Sequence, residues 1–326
     1  MVPLSIAVVL ALVVGIGFLT PWPAAMLIRG AFQQGARDTV AEASKYVPAD
    51  VDARIDLSYS TAGGDQLFDL FTPKGSTGPL PAVVWIHGGA WISGSKADVE
   101  PYARILASHG YAVVTLNYSI SPEVVYPVAI QQLNSALGYL TAHAAELSID
   151  PDRIVIAGDS AGANLTSQLA AVVTNPAYAE LLGIEPALAP EQLAGVVLDC
   201  GIYDVSGIPE APGLGGWGFR IALWAYIGAH DWISQPGGQE MSTIDYVTAD
   251  FPATWISGGN GDPLTKGQSI PLAEKLDDLG VPVTALFYAE DHEPSLPHEY
   301  QFHLDFADAQ NALASTVDFL DDVTRR

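Results

Sequence analysis

Short apolar runs alternate with longer segments of helical periodicity over most of the chain, and this alternation restricts its fold more than any other feature. The apolar runs are AVVWIH, YAVVTLNY, RIVIAG, LAGVVLD, ATWISGG and VPVTALFY, and helical patterns lie near residues 128–147, 161–173, 266–279 and 305–323. Strands that are apolar at nearly every position are typical of a parallel sheet covered on both faces. Two earlier runs, RIDLSYS and LFDLFT, are predicted to pair antiparallel. The sequence therefore predicts an α/β fold with a mainly parallel central sheet and helices on both faces.

The chain is strongly acidic, which narrows its possible partners. Its 326 residues include 37 Asp and Glu against 13 Lys and Arg, for a formal net charge of −24. A nucleic-acid interface needs clustered basic side chains, and the sequence contains no such cluster, so no nucleic-acid partner is predicted. The single cysteine, Cys200, excludes an internal disulfide and is interpreted as a buried, unreactive thiol.

One motif lies directly between an apolar strand and an apolar helix. The segment IVIAGDSAGANL places Gly158, Ser160 and Gly162 in the pattern G-x-S-x-G. A serine on such a sharp strand-to-helix turn projects its hydroxyl from the edge of the sheet, and the flanking glycines let the helix pass close to the strand. Ser160 is therefore predicted to be a catalytic nucleophile.

A second motif, HGGAW, follows the strand AVVWI and forms a loop that begins at His87. Attack of a serine on an acyl group creates a negatively charged oxygen, which backbone N–H groups can stabilise. The amides of Gly89, Ala90 and Ala161 are predicted to form this oxyanion hole. His87 is interpreted as a structural residue that shapes the loop, because it precedes the serine and the general base is expected later in the chain.

Together the two motifs resemble those of the α/β-hydrolase superfamily and, within it, of the hormone-sensitive-lipase-like esterases. The resemblance extends from about residue 54 to the C terminus. It implies the α/β-hydrolase fold and a catalytic acid that follows the next-to-last strand in a D-P-L turn. Asp262 in ISGGNGDPLTKG fits that position, with Asp199 as its rival at the end of the preceding strand. Ala90 replaces the third glycine usual in the family's oxyanion loop, a change that keeps the N–H donor.

The general base is the least settled of the predicted residues. The family's histidine lies in a short loop after the last strand, where this chain has the longer stretch EDHEPSLPHEYQF. Spacing favours His292, whereas the context PHEYQF favours His298, and Pro294 and Pro297 stiffen the connection between them. His298 is predicted to be the base, with His292 as the alternative. A metal site formed by both with His303 is not expected, because the spacing matches no common ligand pattern.

The amino-terminal region carries a separate signal. Residues 2–19 are uncharged and long enough to cross a bilayer. We expect residues 1–22 to be an uncleaved transmembrane or signal-anchor segment that associates the protein with a membrane. The alternatives are a cleaved signal, although the basic residues and cleavage site typical of one are missing, and a buried or surface-lying helix. Arg29, Arg37 and Lys45 follow the segment, so the positive-inside rule places the rest of the chain in the cytoplasm.

The remaining organisation follows from spacing and composition. Residues 23–50 are predicted to form an amphipathic connecting helix that either lies on the membrane or covers the active site. Residues 51–326 are predicted to be an α/β-hydrolase catalytic domain, with an inserted helical cap at about 203–246, an interval too long for an ordinary connection. Some of the cap's aromatic residues are expected to line an apolar pocket, and the candidates are Trp217, Phe219, Trp224, Tyr226 and Trp232.

These features predict a serine carboxylesterase that hydrolyses short- to medium-chain carboxylic esters through an acyl-enzyme intermediate. Its partner is a small-molecule ester, and no cofactor is predicted. The resemblance and the aromatic cap together imply the chain length. Two alternatives stay open: a non-catalytic ligand-binding receptor on the same fold, and a serine hydrolase that cleaves amides or peptides.

Overall fold

One sheet organises the molecule. The structure is a computed structural model, and it describes residue 17, residues 19–208 and residues 213–325. Eight strands lie in the order β1-β2-β4-β3-β5-β6-β7-β8. They are β1 (Val51–Ser58), β2 (Leu67–Pro73), β3 (Leu80–Ile86), β4 (Ala112–Leu116), β5 (Ile149–Asp159), β6 (Leu193–Asp199), β7 (Thr254–Gly258) and β8 (Val283–Phe287). Strand β2 pairs antiparallel with β1 and with β4, and the other neighbours are parallel.

Helices connect most of the strands and cover the sheet. They are α1 (Trp22–Ala43), α2 (Glu100–Ser108), α3 (Val128–Ala142), α4 (Ala144–Leu147), α5 (Ala161–Thr174), α6 (Pro176–Leu182), α7 (Gly213–Ile227), α8 (Pro236–Glu240), α9 (Ile270–Asp278) and α10 (Ala307–Thr324). A π-helical turn, Thr265–Ser269, leads into α9.

Both faces of the sheet are buried, and adjacent residues along a strand enter different cores. On β3, Val84 and Ile86 join the core that contains α3 and α5, whereas Val83 and Trp85 join the core that contains α2 and α10. Successive strand side chains point to opposite faces, so a strand covered on both faces needs apolar residues at nearly every position. The predicted α/β fold, with its mainly parallel sheet and helices on both faces, is confirmed.

The direction of the parallel strands gathers the predicted site residues at one edge of the sheet. Strands β3, β5, β6, β7 and β8 run parallel to one another, so their carboxyl ends meet at the same edge. The loop of Gly89 follows β3, Ser160 follows β5, Asp262 follows β7 and His298 follows β8. Ligand sites in open α/β sheets form outside these carboxyl ends.

The interval predicted to be a cap, at about 203–246, contains α7 and α8 joined by short 3₁₀ turns. Its residues 209–212 lie outside the described part of the chain. Tyr226 on α7 is buried and stacks on Trp91, with ring centroids 5.2 Å apart, and Trp232 is also buried. These two aromatic side chains therefore pack the interval against the rest of the molecule. The division of the chain into domains stays a prediction.

The membrane anchor expected at the amino terminus needs correction. No helix in the described ranges is long enough and apolar enough to cross a bilayer. The expected span, residues 2–19, lies outside those ranges apart from residues 17 and 19. Helix α1, which follows it, carries several charged residues along its length, among them Arg29, Arg37 and Glu42. The expected membrane-anchored localisation is therefore wrong for what the structure describes, and the orientation inferred from the basic residues no longer has a basis.

Candidate active site

Ser160 occupies a strained turn between β5 and α5. Its backbone has φ +51° and ψ −118°, a conformation that residues other than glycine rarely adopt. Its amide donates to the carbonyl of Asp199 at 2.8 Å. A side chain on Gly162 would overlap the carbonyl oxygen of Ile86 on β3. The flanking glycine thus lets the start of α5 lie against the strand, which presents the Ser160 hydroxyl at the carboxyl edge of the sheet.

The loop after β3 lies beside this serine and is fixed by a buried carboxyl group. The Gly88 amide and the Trp85 indole N–H each donate to Asp159 at 2.7 Å. Burial, together with the nearby charge of Glu299, raises the pKa of Asp159 well above its usual value. The Gly88 amide is thus committed to Asp159, which fixes the start of the loop that continues through Gly89 and Ala90.

Gly89 and Ala90 turn the chain through left-handed backbone, with φ +104° and +52°. Both line the cavity beside Ser160. A side chain on Gly89 would overlap the Ser93 carbonyl, so glycine is required here on two counts. Ala90 tolerates the left-handed conformation that the family's usual glycine would adopt more easily.

The His87 imidazole is fixed by contacts within its own loop and with Tyr118. Its Nδ1 donates to the Gly88 carbonyl at 2.8 Å, and its ring stacks on Tyr118 with centroids 4.4 Å apart. The Tyr118 hydroxyl donates to the His87 carbonyl at 2.9 Å. Burial lowers the pKa of the His87 imidazole, which favours the neutral ring. These contacts fit the structural role inferred from the sequence.

The structure brings Ser160, His298 and Asp262 into one hydrogen-bonded chain. His298 Nε2 lies 3.0 Å from Ser160 Oγ, and His298 Nδ1 donates to Asp262 Oδ2 at 2.8 Å. The other oxygen of Asp262 accepts the amide of Leu264 at 2.9 Å, and the carboxylate is fully buried. With Nδ1 donating to the acid, Nε2 carries the free lone pair that a general base needs.

The surroundings of His298 favour its protonated form. Burial acts to lower the pKa of the imidazole, but hydrogen bonds with Asp262 and Cys200 and the charges of Glu299 and Asp262 act in the opposite direction and prevail. The pKa of His298 therefore lies well above its ordinary value of 6.5. An imidazolium formed by taking a proton from the serine would be stabilised by these neighbours.

His292, the alternative base, lies in a different environment. Its Nε2 is 3.1 Å from Asp308 Oδ2 near the start of α10, and its ring contacts Tyr288 with centroids 4.6 Å apart. The Asn260 side chain donates to the His292 carbonyl at 2.9 Å. The structure thus places His292 where it can fix the loop, and it places His298 beside Ser160.

Asp199, the rival acid, is buried at the end of β6, and its carboxylate forms no hydrogen bond with an imidazole in the described part of the chain. Burial and the charge of Glu299 raise its pKa well above its usual value. Its backbone carbonyl supports the turn at Ser160, as described above, and its side chain has no hydrogen-bond partner within the described residues. The geometry accordingly favours Asp262 as the acid that orients the histidine.

Cys200 was expected to be a buried, unreactive thiol, and the structure agrees. It is fully buried, it exchanges hydrogen bonds with the Gln301 side chain at 3.3 Å, and burial raises the pKa of the thiol to about 11. Sequence analysis missed its position beside His298. With Asp262 and His298 it forms the one set of metal-ligating atoms within 4.8 Å among the described residues, but the other two already bond to each other.

Helix α1 covers the cavity beside Ser160. The cavity has a volume of ≈ 330 Å³, and its wall includes Ala31, Phe32 and Thr39 from α1 and Phe219 from α7. Ala25, fully buried, packs the same helix against the loop after β3 and against α7. Of the two positions expected for the connecting helix, the structure therefore shows the one that covers the site.

Charged contacts hold α1 at both ends. Near its start, Arg29 forms a bidentate pair with Glu123 at 2.6 and 2.7 Å and donates to the carbonyls of Ile92 and Ser121 at 2.6 and 2.7 Å. Near its end, Glu42 bonds His303 at 3.0 Å. His303 is thus paired with α1 and does not join His298 in a metal site.

Comparisons with known proteins find a matching family and related esterases. The model of the BD-FAE family matches residues 68–276. Esterase LipQ of Mycobacterium tuberculosis (strain ATCC 25618 / H37Rv) is 28% identical over 240 residues, which cover 72% of this chain but only 55% of LipQ. Carboxylesterase NlhH of Mycobacterium tuberculosis (strain CDC 1551 / Oshkosh) is 29% identical over 272 residues, which cover 78% of each chain.

Solved structures share the fold over nearly the whole chain. Esterase B from Lactobacillus Rhamnosis (HN001) is 25% identical and superposes with a TM-score of 0.79, covering 93% of this chain and 96% of its own. Bacterial heroin esterase is 24% identical with a TM-score of 0.72, covering 91% of each chain, and is alike in fold. The α/β-hydrolase fold implied by the sequence motifs is confirmed.

Proposed function

This chain belongs to the BD-FAE family of the α/β-hydrolase superfamily, among the hormone-sensitive-lipase-like carboxylesterases, and on that premise we propose that it hydrolyses short- to medium-chain carboxylic esters with Ser160 as nucleophile. Carboxylic ester hydrolysis is the activity of the group. The residues assigned to it and the choice of ester are the proposal.

The observation that carries the proposal is the hydrogen-bonded chain from Ser160 through His298 to Asp262, at 3.0 and 2.8 Å. A serine hydroxyl is a weak nucleophile unless a neighbouring base removes its proton. His298 Nε2 lies within reach of that proton, and Asp262 fixes the tautomer that leaves Nε2 free to accept it.

The reaction proceeds in two halves. Ser160 Oγ attacks the ester carbonyl while its proton passes to His298 Nε2, and the carbonyl π electrons move onto the oxygen. When the tetrahedral intermediate collapses, the C–O bond to the alcohol breaks and His298 returns the proton to the departing oxygen. Water then repeats the sequence on the acyl-enzyme, releasing the acid and restoring Ser160.

The oxyanion formed in each half would be met by the amides of Gly89, Ala90 and Ala161. Removing one such donor typically raises the barrier by about 3 kcal/mol. Gly89 and Ala90 belong to the loop fixed by Asp159, so the positions of their amides are set before substrate arrives. Fixed donors are effective because they need no reorganisation as charge develops.

The size and lining of the cavity support a short to medium ester. Its volume of ≈ 330 Å³ is near the lower end of the range for small-molecule sites, and Ala31, Phe32 and Phe219 supply apolar surface. The covering helix α1 limits the length of acyl chain that fits without displacing it.

A p-nitrophenyl ester series from acetate to palmitate, with matched p-nitroanilides, tests the proposal on the full chain. We expect kcat/KM to be greatest for short to medium acyl groups, to fall for long ones, and to exceed that of the anilides. Ser160→Ala provides the blank. Faster cleavage of the anilides would assign amide chemistry, and ligand binding with no turnover above the blank would assign a receptor.

A further inference from the structure

Glu299, the residue directly after His298, adopts an unfavourable backbone conformation. Its φ is +58° and its ψ is +30°, in the left-handed region that glycine adopts freely and that other residues adopt at a cost. Strained residues of this kind concentrate at functional sites. A glutamate at a position that suits glycine requires a reason in what its side chain contacts.

That side chain lies against the atom that would transfer the proton. Glu299 Oε1 is 3.6 Å from His298 Nε2, the same nitrogen that lies 3.0 Å from Ser160 Oγ. The side chain is one-third exposed (33%) and lines the cavity. In the proposed reaction, His298 Nε2 gives its proton to the leaving alcohol, so the Glu299 carboxylate adjoins the alcohol portion of a bound ester.

The other acidic groups of the cavity wall have partners. Asp159 accepts hydrogen bonds from Trp85 and Gly88, as described above, and Asp98 accepts the amide of Ser95 at 2.9 Å. None of the described residues that line the cavity is a lysine or an arginine. The negative charge that faces the alcohol portion is therefore balanced by no lysine or arginine of the described wall, and the group beside it that can become cationic is the His298 imidazole.

We propose that Glu299 is a specificity-determining residue that selects the alcohol portion of the ester by charge, favouring a cationic group over a neutral one and rejecting an anionic one. The inference rests on the proposed function, since it needs His298 to protonate the alcohol. A charge a few ångströms from a carboxylate in a partly dry pocket is stabilised or repelled more strongly than in water, and the effect weakens with salt.

The test compares esters that differ in charge but hardly in shape. Acetylcholine and 3,3-dimethylbutyl acetate place a quaternary nitrogen or a quaternary carbon at the same distance from the ester oxygen. The acetate ester of 3-hydroxypropionate adds an anion. The kcat/KM of each is measured from released acetate, for the wild type and for Glu299→Gln, at low and at high salt.

We expect Glu299→Gln to lower the ratio of kcat/KM for acetylcholine to that for its neutral isostere by about tenfold. In the variant, kcat/KM for the anionic ester should rise relative to kcat/KM for the neutral isostere. Added salt should reduce the ratio measured for the wild type toward that of the variant. Glu299→Gly, which removes both charge and strain, should show the same loss of ratio. Asp291→Asn removes an exposed charge from the same loop and should leave the ratio unchanged.

The outcomes separate this inference from the proposed function. If Glu299→Gln lowers kcat/KM by the same factor for acetylcholine and for 3,3-dimethylbutyl acetate, so that the ratio of the two values is unchanged, Glu299 has only a structural role and the inference is overturned. An equal change of ratio in Asp291→Asn would also overturn it, because the effect would then be long-range. If the wild type hydrolyses neither the neutral acetate nor any p-nitrophenyl ester, the proposed function itself fails.

Discussion

Replacing Ser160 with alanine is expected to lower kcat for p-nitrophenyl butyrate by about 10⁴-fold or more, with little change in substrate binding. The substitution removes the only atom proposed to bond covalently to the acyl group. The cavity wall and the loop of Gly89 and Ala90 remain in place, so the substrate still has its site. Initial rates on purified wild type and variant measure the effect directly.

Ser167→Ala is the matched control for this substitution. Ser167 is a buried serine on α5, where its hydroxyl bonds the Asn164 carbonyl and Thr243 at 2.8 Å. Its loss is expected to cost about 1 kcal/mol of unfolding free energy and to leave kcat within a fewfold of wild type. Turnover by Ser160→Ala within tenfold of wild type would mean that another group attacks the ester.

Replacing His298 with alanine is expected to have the second largest effect, a loss of about 10⁴-fold in kcat. Without Nε2, no other group of the described residues is hydrogen-bonded to Ser160 Oγ and able to take its proton, and Asp262 keeps a buried charge without the imidazole. His292→Ala should retain activity within tenfold of wild type, because His292 contacts Asp308 and Tyr288 rather than the serine. Parallel kcat measurements on the two variants decide between the histidines.

Chemical rescue distinguishes loss of the base from loss of the fold. Added imidazole should restore part of the activity of His298→Ala, since the deleted ring leaves space next to Ser160, and it should not affect Ser160→Ala. Unfolding in urea should show both variants to be folded. If instead His292→Ala loses the activity and His298→Ala keeps it, the general base is His292.

The nucleophile turn and the loop after β3 could be predicted from sequence because their geometry is local. Gly158 is needed where α5 passes close to its own strand β5 and Gly162 where α5 passes close to β3, and the apolar runs on either side fix the turn between strand and helix. The sheet was predictable for a related reason. Strands covered on both faces must be apolar at nearly every position, and that pattern is visible without any tertiary information.

The choice between His292 and His298 could not be made with the same security, because it depends on contacts between distant parts of the chain. His298 meets Asp262 at a separation of 36 residues and Ser160 at 138. Glu299 was missed although it directly follows the predicted base, because its position beside Nε2 goes with a left-handed backbone at residue 299 that the sequence pattern does not reveal.

The amino-terminal helix shows how charge can mislead when its partners are unknown. Arg29 was interpreted as a positive charge beside a membrane span, yet in the structure it bonds Glu123, 94 residues away, and holds α1 over the cavity. A basic residue next to an apolar segment satisfies the positive-inside rule whether or not a membrane is present. Only the fold reveals that a carboxylate lies within reach.

The central claim, that Ser160 forms the acyl-enzyme, is tested most directly by mass spectrometry after reaction with a p-nitrophenyl phosphonate ester. The phosphorus centre is attacked as an ester carbonyl would be, and the adduct remains bound. We predict one adduct per chain, located on the peptide that contains Ser160, with release of one p-nitrophenolate and parallel loss of esterase activity. Ser160→Ala should remain unlabelled. An adduct on any other residue, formed at the rate at which activity disappears, would contradict the account.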